Sequence, residues 1–268
     1  MASVSTIVFC HAHPDDEASQ TSGTMARAAR EGHRVVVVFA TNGDHGQPPD
    51  DLAPGETVVQ RRRREAQASA EVIGTARVVW LGYADSGMTG WEQNSGPGSL
   101  HGADLQEAAG RLAKVLDEEN ADVLVGYDWH GGYGHPDHVK VHQVAHRSAE
   151  LALERPRLLE QSMNRDRLRQ LRDQALAAGA SPDEVMDPDG PADDGNGFGI
   201  PASELHWQLE LDDELLELKR RTMQCHSSQA DVRGMLAMPD EHFRAFFGVE
   251  SYREPGLEQE LSSQWPFA

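Results

Sequence analysis

Residues 34–40 read RVVVVFA, and the four successive valines at 35–38 decide the fold class. A strand that faces water on one side alternates apolar with polar residues, whereas a strand covered on both faces reads as an unbroken apolar run. Similar short runs stand at 6–10 (TIVFC), 76–81 (ARVVWL) and 121–127 (ADVLVGY). Between them, apolar spacing predicts helices over 23–31, 58–73 and 105–119, with Gly32, Gly74 and Asn120 where C-caps are expected. Strand–helix repetition of this kind predicts an α/β fold with right-handed βαβ units, a Rossmann-like, doubly wound and mostly parallel sheet. Ligands of such sheets bind beyond the carboxyl ends of the strands.

Past residue 155 the pattern loosens. A strand is expected over 156–163, a charged helix over 164–178, a strand over 205–211 and a helix over 213–225. Residues 180–201, rich in Pro, Gly and Asp, read as a mobile acidic loop. Its DPDGPADD lacks the ligand spacing and closing Glu of a calcium loop. With no internal repeat and no second apolar core, the expectation is a single domain over 1–268, a core at 5–155 carrying a C-terminal elaboration at 156–268.

The 268 residues carry a net charge of −20, with 38% hydrophobic residues and a mean hydropathy of −0.57. That charge argues against a nucleic-acid partner, because phosphate binding needs a basic surface. No apolar run reaches 18 residues, so no membrane span is expected. The first residues lack the basic and apolar regions of a secretory signal, which makes a cytoplasmic location the expectation. Cys10 and Cys225 are far apart and outside any CxxC pair, so neither a disulfide nor a thiolate metal site is expected. A homo-oligomer is compatible with the composition.

Two motifs carry chemistry. The first, HAHPDDE at 11–17, follows the first strand directly. Pro14 restrains the turn, so that His13 and Asp16 can face one metal ion while Asp15 stands beside it as a base. The second, YGHPDH at 133–138, follows the fourth strand. Pro136 suits the first position of a helix, which makes His135 its N-cap and places His138 in its first turn. Both imidazoles then project toward the sheet edge that bears the first motif. Spacing does not choose between His135 and His138 as the metal ligand. His142 and His146 continue the same helical face and are expected to pack or meet solvent.

HAHPDDE followed about a hundred residues later by GYGHPDH resembles the LmbE-like, or PIG-L, N-deacetylases. The branch most similar is that of the actinobacterial mycothiol enzymes, the GlcNAc-inositol deacetylase and the mycothiol S-conjugate amidase. The likeness covers residues 6–150 and continues more weakly at KRRTMQCHSSQ, 219–229. It implies one zinc ion per chain, or another divalent metal, held by His13, Asp16 and His138, with Asp15 as general base. It implies further that His135 stabilises the tetrahedral intermediate and protonates the leaving amine, with Asp137 orienting it and Tyr133 polarising the carbonyl. Arg62 and Asp85 then contact a small N-acylated amino-sugar substrate. Acetyl removal from a GlcNAc-type sugar is the implied reaction, and amidase action on a mycothiol S-conjugate is the alternative. The segments 90–102 and 181–200 depart from both enzymes.

Two other classes compete. His11, His13 and Asp15 also begin the HxHxDH signature of two-metal β-sandwich hydrolases, but the sixth position is Asp16 and the element pattern is βαβ. A non-catalytic sugar- or nucleotide-binding module lacks support, because HAHPDDE stands where a GxGxxG phosphate loop would.

Overall fold

The computed structural model describes residues 4–267. Seven strands form one sheet: β1 (Thr6–His11), β2 (Arg34–Thr41), β3 (Arg77–Tyr83), β4 (Val123–Tyr127), β5 (Arg157–Ser162), β6 (Trp207–Glu210) and β7 (Val249–Arg253). Their order is 3-2-1-4-5-7-6. The first five pair in parallel, while β7 runs antiparallel to β5 and to β6. The sheet is therefore mostly parallel, as the valine run requires, with an antiparallel edge. A single mixed sheet of this kind excludes the two-metal β-sandwich.

The central strands β1, β2 and β4 are buried on both faces. Ile7, Phe9, Val35, Val37, Phe39 and Val125 point into one apolar layer, and Val8, Cys10, Val36, Val38 and Leu124 into the other. The first layer is closed by α1 (Ser22–Arg30), α2 (Val58–Ile73) and later helices. The second is closed by α3 (Leu105–Glu119) and α4 (Pro136–Leu151). Each apolar side chain so covered contributes on the order of 1.5–3 kcal/mol, which is why the alternation is strict. Helices α2 and α3 have the bounds expected from sequence, and Gly74 and Asn120 cap them at φ 88° and 47°.

The remaining helices are α5 (Arg165–Ala177), α6 (Asp213–Cys225), α7 (Ala230–Leu236) and α8 (Asp240–Phe247). Sequence spacing misses four features here. A wider helical turn at Glu17–Thr21 joins the first motif to α1, and α7, α8 and β7 fall in segments too short for a periodic signal. The acidic segment 180–201 folds back on the molecule rather than hanging free. Arg165 donates to the carbonyls of Gly197, Phe198 and Gly199, and the Gly199 N–H donates to the Gly132 carbonyl at 2.6 Å. No described helix is long and apolar enough to cross a membrane. Both cysteines are free thiols, and burial pushes that of Cys10 up to about 12.

The C-terminal strands are tied to the first helix by a buried carboxylate. Glu250 on β7 accepts from the N–H groups of Gly23 and Thr24, in the first turn of α1, at 2.9 and 2.8 Å. Lys219 on α6 neutralises it at 2.8 Å, and both side chains are essentially sealed from water. Removing one member of such a pair strands the other charge in a low-dielectric interior. Lys219→Met is expected to lower stability by about 3–5 kcal/mol in urea denaturation, with part of the loss recovered by adding Glu250→Gln. Additive losses in the double variant would show that the two groups do not act as a pair.

Candidate metal centre and active site

Strands β1 and β4 are neighbours, and it is between them that the strand order reverses. At such a switch point the chain leaves adjacent strands toward opposite faces, opening a crevice beyond their carboxyl ends. Both motifs stand in this crevice. Residues 12–16 follow β1, and the glycine-rich turn 131–134 follows β4 and leads into α4.

Three atoms converge there. His13 Nδ1 lies 3.4 Å from Asp16 Oδ2, His138 Nε2 lies 3.3 Å from the same oxygen, and the two ring nitrogens are 3.3 Å apart. All three residues are buried. Their partners fix which nitrogens carry protons. His13 Nε2 faces the carboxylates of Asp137 at 3.2 Å and Asp85 at 3.5 Å, so its proton lies on that side. His138 Nδ1 is 3.1 Å from the Gly131 carbonyl, which can only accept. With those tautomers two lone pairs and a carboxylate oxygen face one another, an arrangement that calls for a positive charge between them, either a proton on His13 Nδ1 or a metal ion. Tetrahedral zinc with bonds of about 2.0–2.1 Å sets its ligands roughly 3.3–3.4 Å apart, the spacing found here.

The surrounding groups keep positive charge at this point. Burial pushes the His13 imidazole toward its neutral form, but Asp85, Asp137 and Asp16 more than reverse this and hold it well above its ordinary value. Burial likewise raises Asp16, yet His138 and His13 hold it well below the usual carboxylate range. Tyr127, at the end of β4, stacks on His138 at 4.4 Å with the rings 4° from parallel and donates its hydroxyl to Asp16 Oδ2 at 2.9 Å. Carbonyl, carboxylate and phenol partners of this kind fix the orientation of metal-binding side chains.

Asp15 stands beside the triangle in a conformation that L residues avoid, at φ 122°. Such a backbone costs on the order of 1–3 kcal/mol and persists only when its surroundings over-determine it. Here they do. The Asp15 N–H donates to Glu17 Oε2 at 2.9 Å, its carbonyl accepts from Ala18 and Ser19, and its carboxylate accepts from Arg62 at 2.7 Å. Burial pushes the Asp15 carboxyl up to about 6, against the opposing pull of Arg62. Glu17 is itself held by Ser69 at 2.5 Å and by His226 at 2.7 Å. The KRRTMQCHSSQ segment therefore reaches the site through His226.

Several expected roles change partners. Arg62 is 3% exposed, and its guanidinium is taken up by Asp15 and by the carbonyls of Pro14 and Gly43. Its guanidinium is thus turned toward Asp15 and the backbone around the first motif. Its neighbours Arg61 and Arg64 pair with Glu56 at the surface. The Asp137 carboxylate orients His13, not His135, and is held in turn by the Ser86 N–H and hydroxyl. Asp85 accepts from Gly87 and faces His13. His135 is the N-cap of α4, with Nδ1 accepting from the Asp137 N–H at 3.1 Å, which leaves its proton on Nε2. Burial, aided by the two neighbouring imidazoles, pushes His135 down to about 3, so it stands in the crevice as a neutral Nε2–H donor. The His135 ring lies 4.6 Å from that of His13 and 5.2 Å from that of His138. The Tyr133 ring packs edge-on to His138 at 4.9 Å. His142 and His146 lie off the site and pair with Glu160.

The profile of the PIG-L family, described as GlcNAc-PI de-N-acetylase, matches residues 8–149, just over half of the chain. The chain belongs to the PIG-L family. The matched span contains all three sides of the triangle, together with Asp15, Arg62 and His135. A PIG-L relative from Streptomyces scabiei (strain 87.22), 1D-myo-inositol 2-acetamido-2-deoxy-alpha-D-glucopyranoside deacetylase, is 44% identical over 156 residues. That alignment covers 54% of this chain and 48% of the relative, so the chain spans about half the length of the curated relatives it matches. Among solved structures, N,N'-diacetylchitobiose deacetylase from Pyrococcus horikoshii aligns with a TM-score of 0.57 at 20% identity, over 93% of this chain and 82% of that one. The 4-carboxy-2-hydroxymuconate hydratase from Pseudomonas putida aligns with a TM-score of 0.57 at 17% identity, over 97% of this chain and all of that one. These are likenesses of fold. A deacetylase and a hydratase share the architecture, so the reaction has to be argued from side chains.

The glycine turn gives a direct test of the site. Gly131 has φ 67°, and a Cβ there would fall 2.2 Å from the His138 Cβ. Gly131→Ala is expected to displace His138 and weaken metal binding at least tenfold, measured by competition with a colorimetric chelator. Gly90→Ala, at φ 83° with nothing within 4 Å, carries the backbone strain without the collision and is expected to keep the metal. Equal affinity in both variants would detach the turn from the site.

Proposed function

We propose that the chain is a zinc-dependent hydrolase that removes an acyl group from the amide nitrogen of an N-acylated amino sugar. The observation that carries this reading is the triangle of His13 Nδ1, Asp16 Oδ2 and His138 Nε2, each side 3.3–3.4 Å, in surroundings that favour positive charge, with Asp15 next to Asp16. One divalent ion per chain would sit on these three atoms; zinc suits the two imidazoles and one carboxylate, and other divalent metals would use the same seats. A zinc ion there would polarise the amide carbonyl and make hydroxide available near neutrality.

The protein's own groups supply the rest. Asp15 takes the proton of the attacking water, for which a carboxyl raised to about 6 is better matched than an ordinary one. Arg62 and Glu17 hold it in place from side chain and backbone respectively. His135 donates its Nε2–H to the oxygen on which negative charge develops, and Tyr133 offers its hydroxyl to the same atom. Because His135 begins neutral, the proton that the departing amine receives is the one Asp15 has collected. Asp137 and Asp85 keep the His13 proton on Nε2 and its lone pair toward the metal.

The amino-sugar half of the proposal is supported by the name of the Streptomyces deacetylase, 44% identical over 156 residues. A binding module without catalysis has no use for a carboxylate held at φ 122° and raised toward neutrality, which favours the enzyme reading.

Two variants separate metal binding from proton transfer. His138→Ala is expected to lose zinc, read by elemental analysis of the purified protein; full zinc content would remove His138 from the ligand set. Asp15→Asn is expected to retain zinc but lose at least about 100-fold in kcat for amine release from an N-acetylglucosamine glycoside, the scale of a missing general base. Near-normal turnover in that variant would sink the assigned mechanism.

A further inference from the structure

A cavity of about 560 Å³ opens against the site, and its character differs from that of the crevice. Its near wall is shared with the metal centre. Gly131 and Tyr133 line it, as does Gln20, which donates to Asp16 Oδ1 at 3.0 Å. Its far wall is apolar and soft, built by Met163, Met186, Phe198, Met235, Met238 and Phe246. Four of the chain's eight methionines are gathered here. All six of these residues lie beyond residue 149, where the family match ends.

Of the charged groups in the lining, Lys219 pairs with Glu250, Glu184 accepts from the Ser181 N–H at 2.9 Å, and Arg167 spends one donor on the Ala245 carbonyl at 2.7 Å. Hydroxyl and amide side chains, Ser19, Gln161, Asn164 and Ser251 among them, add to the polar part of the lining, and the methionine and phenylalanine wall carries no group to pair with the many hydroxyls of a sugar. It offers flexible thioethers and aromatic rings, which adapt to an alkyl chain. An amide carries its acyl chain and its amine substituent on opposite sides of a planar C–N bond. We place the polar sugar on the crevice side, beside the neutral His135 donor, which leaves the cavity to the other substituent. An acetyl methyl would leave nearly all of that space empty, although 560 Å³ lies in the range that holds a drug-sized ligand.

We infer that this cavity receives the acyl chain of the substrate, so that the chain is a deacylase for amino sugars bearing a medium-length N-acyl group. The inference rests on the hydrolase reading above. The reaction balances as before: water adds its oxygen to the acyl carbon, the C–N bond breaks, and the products are a fatty acid and a free amine that has taken the proton.

The test is a chain-length series of N-acetyl, N-hexanoyl and N-octanoyl glucosamine turned over by the zinc-loaded protein. A buried methylene is worth roughly a fourfold gain. With three to four of its six extra methylenes buried, the octanoyl substrate is expected to exceed the acetyl one in kcat/KM by on the order of 100-fold. Met238→Asp is expected to cut this ratio at least tenfold, and Met238→Leu to preserve it; the ratio is insensitive to the amount of folded enzyme. Turnover of the acetyl substrate with a flat or falling series would overturn the inference and leave the hydrolase reading standing. A gain confined to octyl glycosides of N-acetylglucosamine would overturn the assignment to the acyl side. No turnover of any member would remove the hydrolase reading and this inference together.

Discussion

Everything at the site depends on where two imidazoles keep their protons. His13 is obliged by Asp137 and Asp85 to carry its proton on Nε2, and His138 is obliged by the Gly131 carbonyl to carry its own on Nδ1. The remaining nitrogens then face each other and Asp16 with nothing between them but space for a cation. The same carboxylates that orient His13 also favour a positive charge inside the triangle, and the outer partners of the two rings come from separate elements: the turn after β4, the first turn of α4 and the loop after β3. The sheet's role is to bring those elements to one edge within tenths of an ångström.

The fold and the principal site were legible because their signals are local. Four consecutive valines specify a strand buried on both faces, and the alternation of Val35 and Val37 with Val36 and Val38 between two cores follows from the pleat. His13, Asp16 and His138 were likewise visible, each in a short motif next to a strand end, although the preference for His138 over His135 came from family likeness. In the structure His135 spends Nδ1 on the backbone of α4, whereas His138 bonds a carbonyl and turns its other nitrogen to Asp16, and the proposed ligand set rests on that difference.

What the sequence did not disclose is non-local. Nothing in HPDDE shows that Arg62, 47 residues on, will grip Asp15, or that Glu17 will hold its backbone with help from His226, 209 residues away. Substrate contact by Arg62 and Asp85 is implied by family likeness, whereas their partners in the fold, Asp15 for Arg62 and His13 for Asp85, have no local signal in the sequence. Asp137 changed partner for a similar reason. Its neighbour in sequence is His135, but a helix N-terminus points the side chain of its second residue away from the cap, and the imidazole within reach is that of His13. The short elements α7, α8 and β7 gave no periodic signal, since seven, eight and five residues hold at most two turns or a few pleats.

The grip of Glu250 on the first turn of α1 bears on how this chain can be divided. The stretch alike to its relatives ends near α4, and it resembles a module that evolution might move about as one piece. Contacts nonetheless run across its end. Its first helix donates two backbone N–H groups to a residue more than 220 positions later, and Phe9 of its first strand meets Phe267 in an edge-on aromatic contact at 6.5 Å. A boundary drawn through the sequence after α4 would cut across these contacts: likeness to relatives is segmented here, and packing is not.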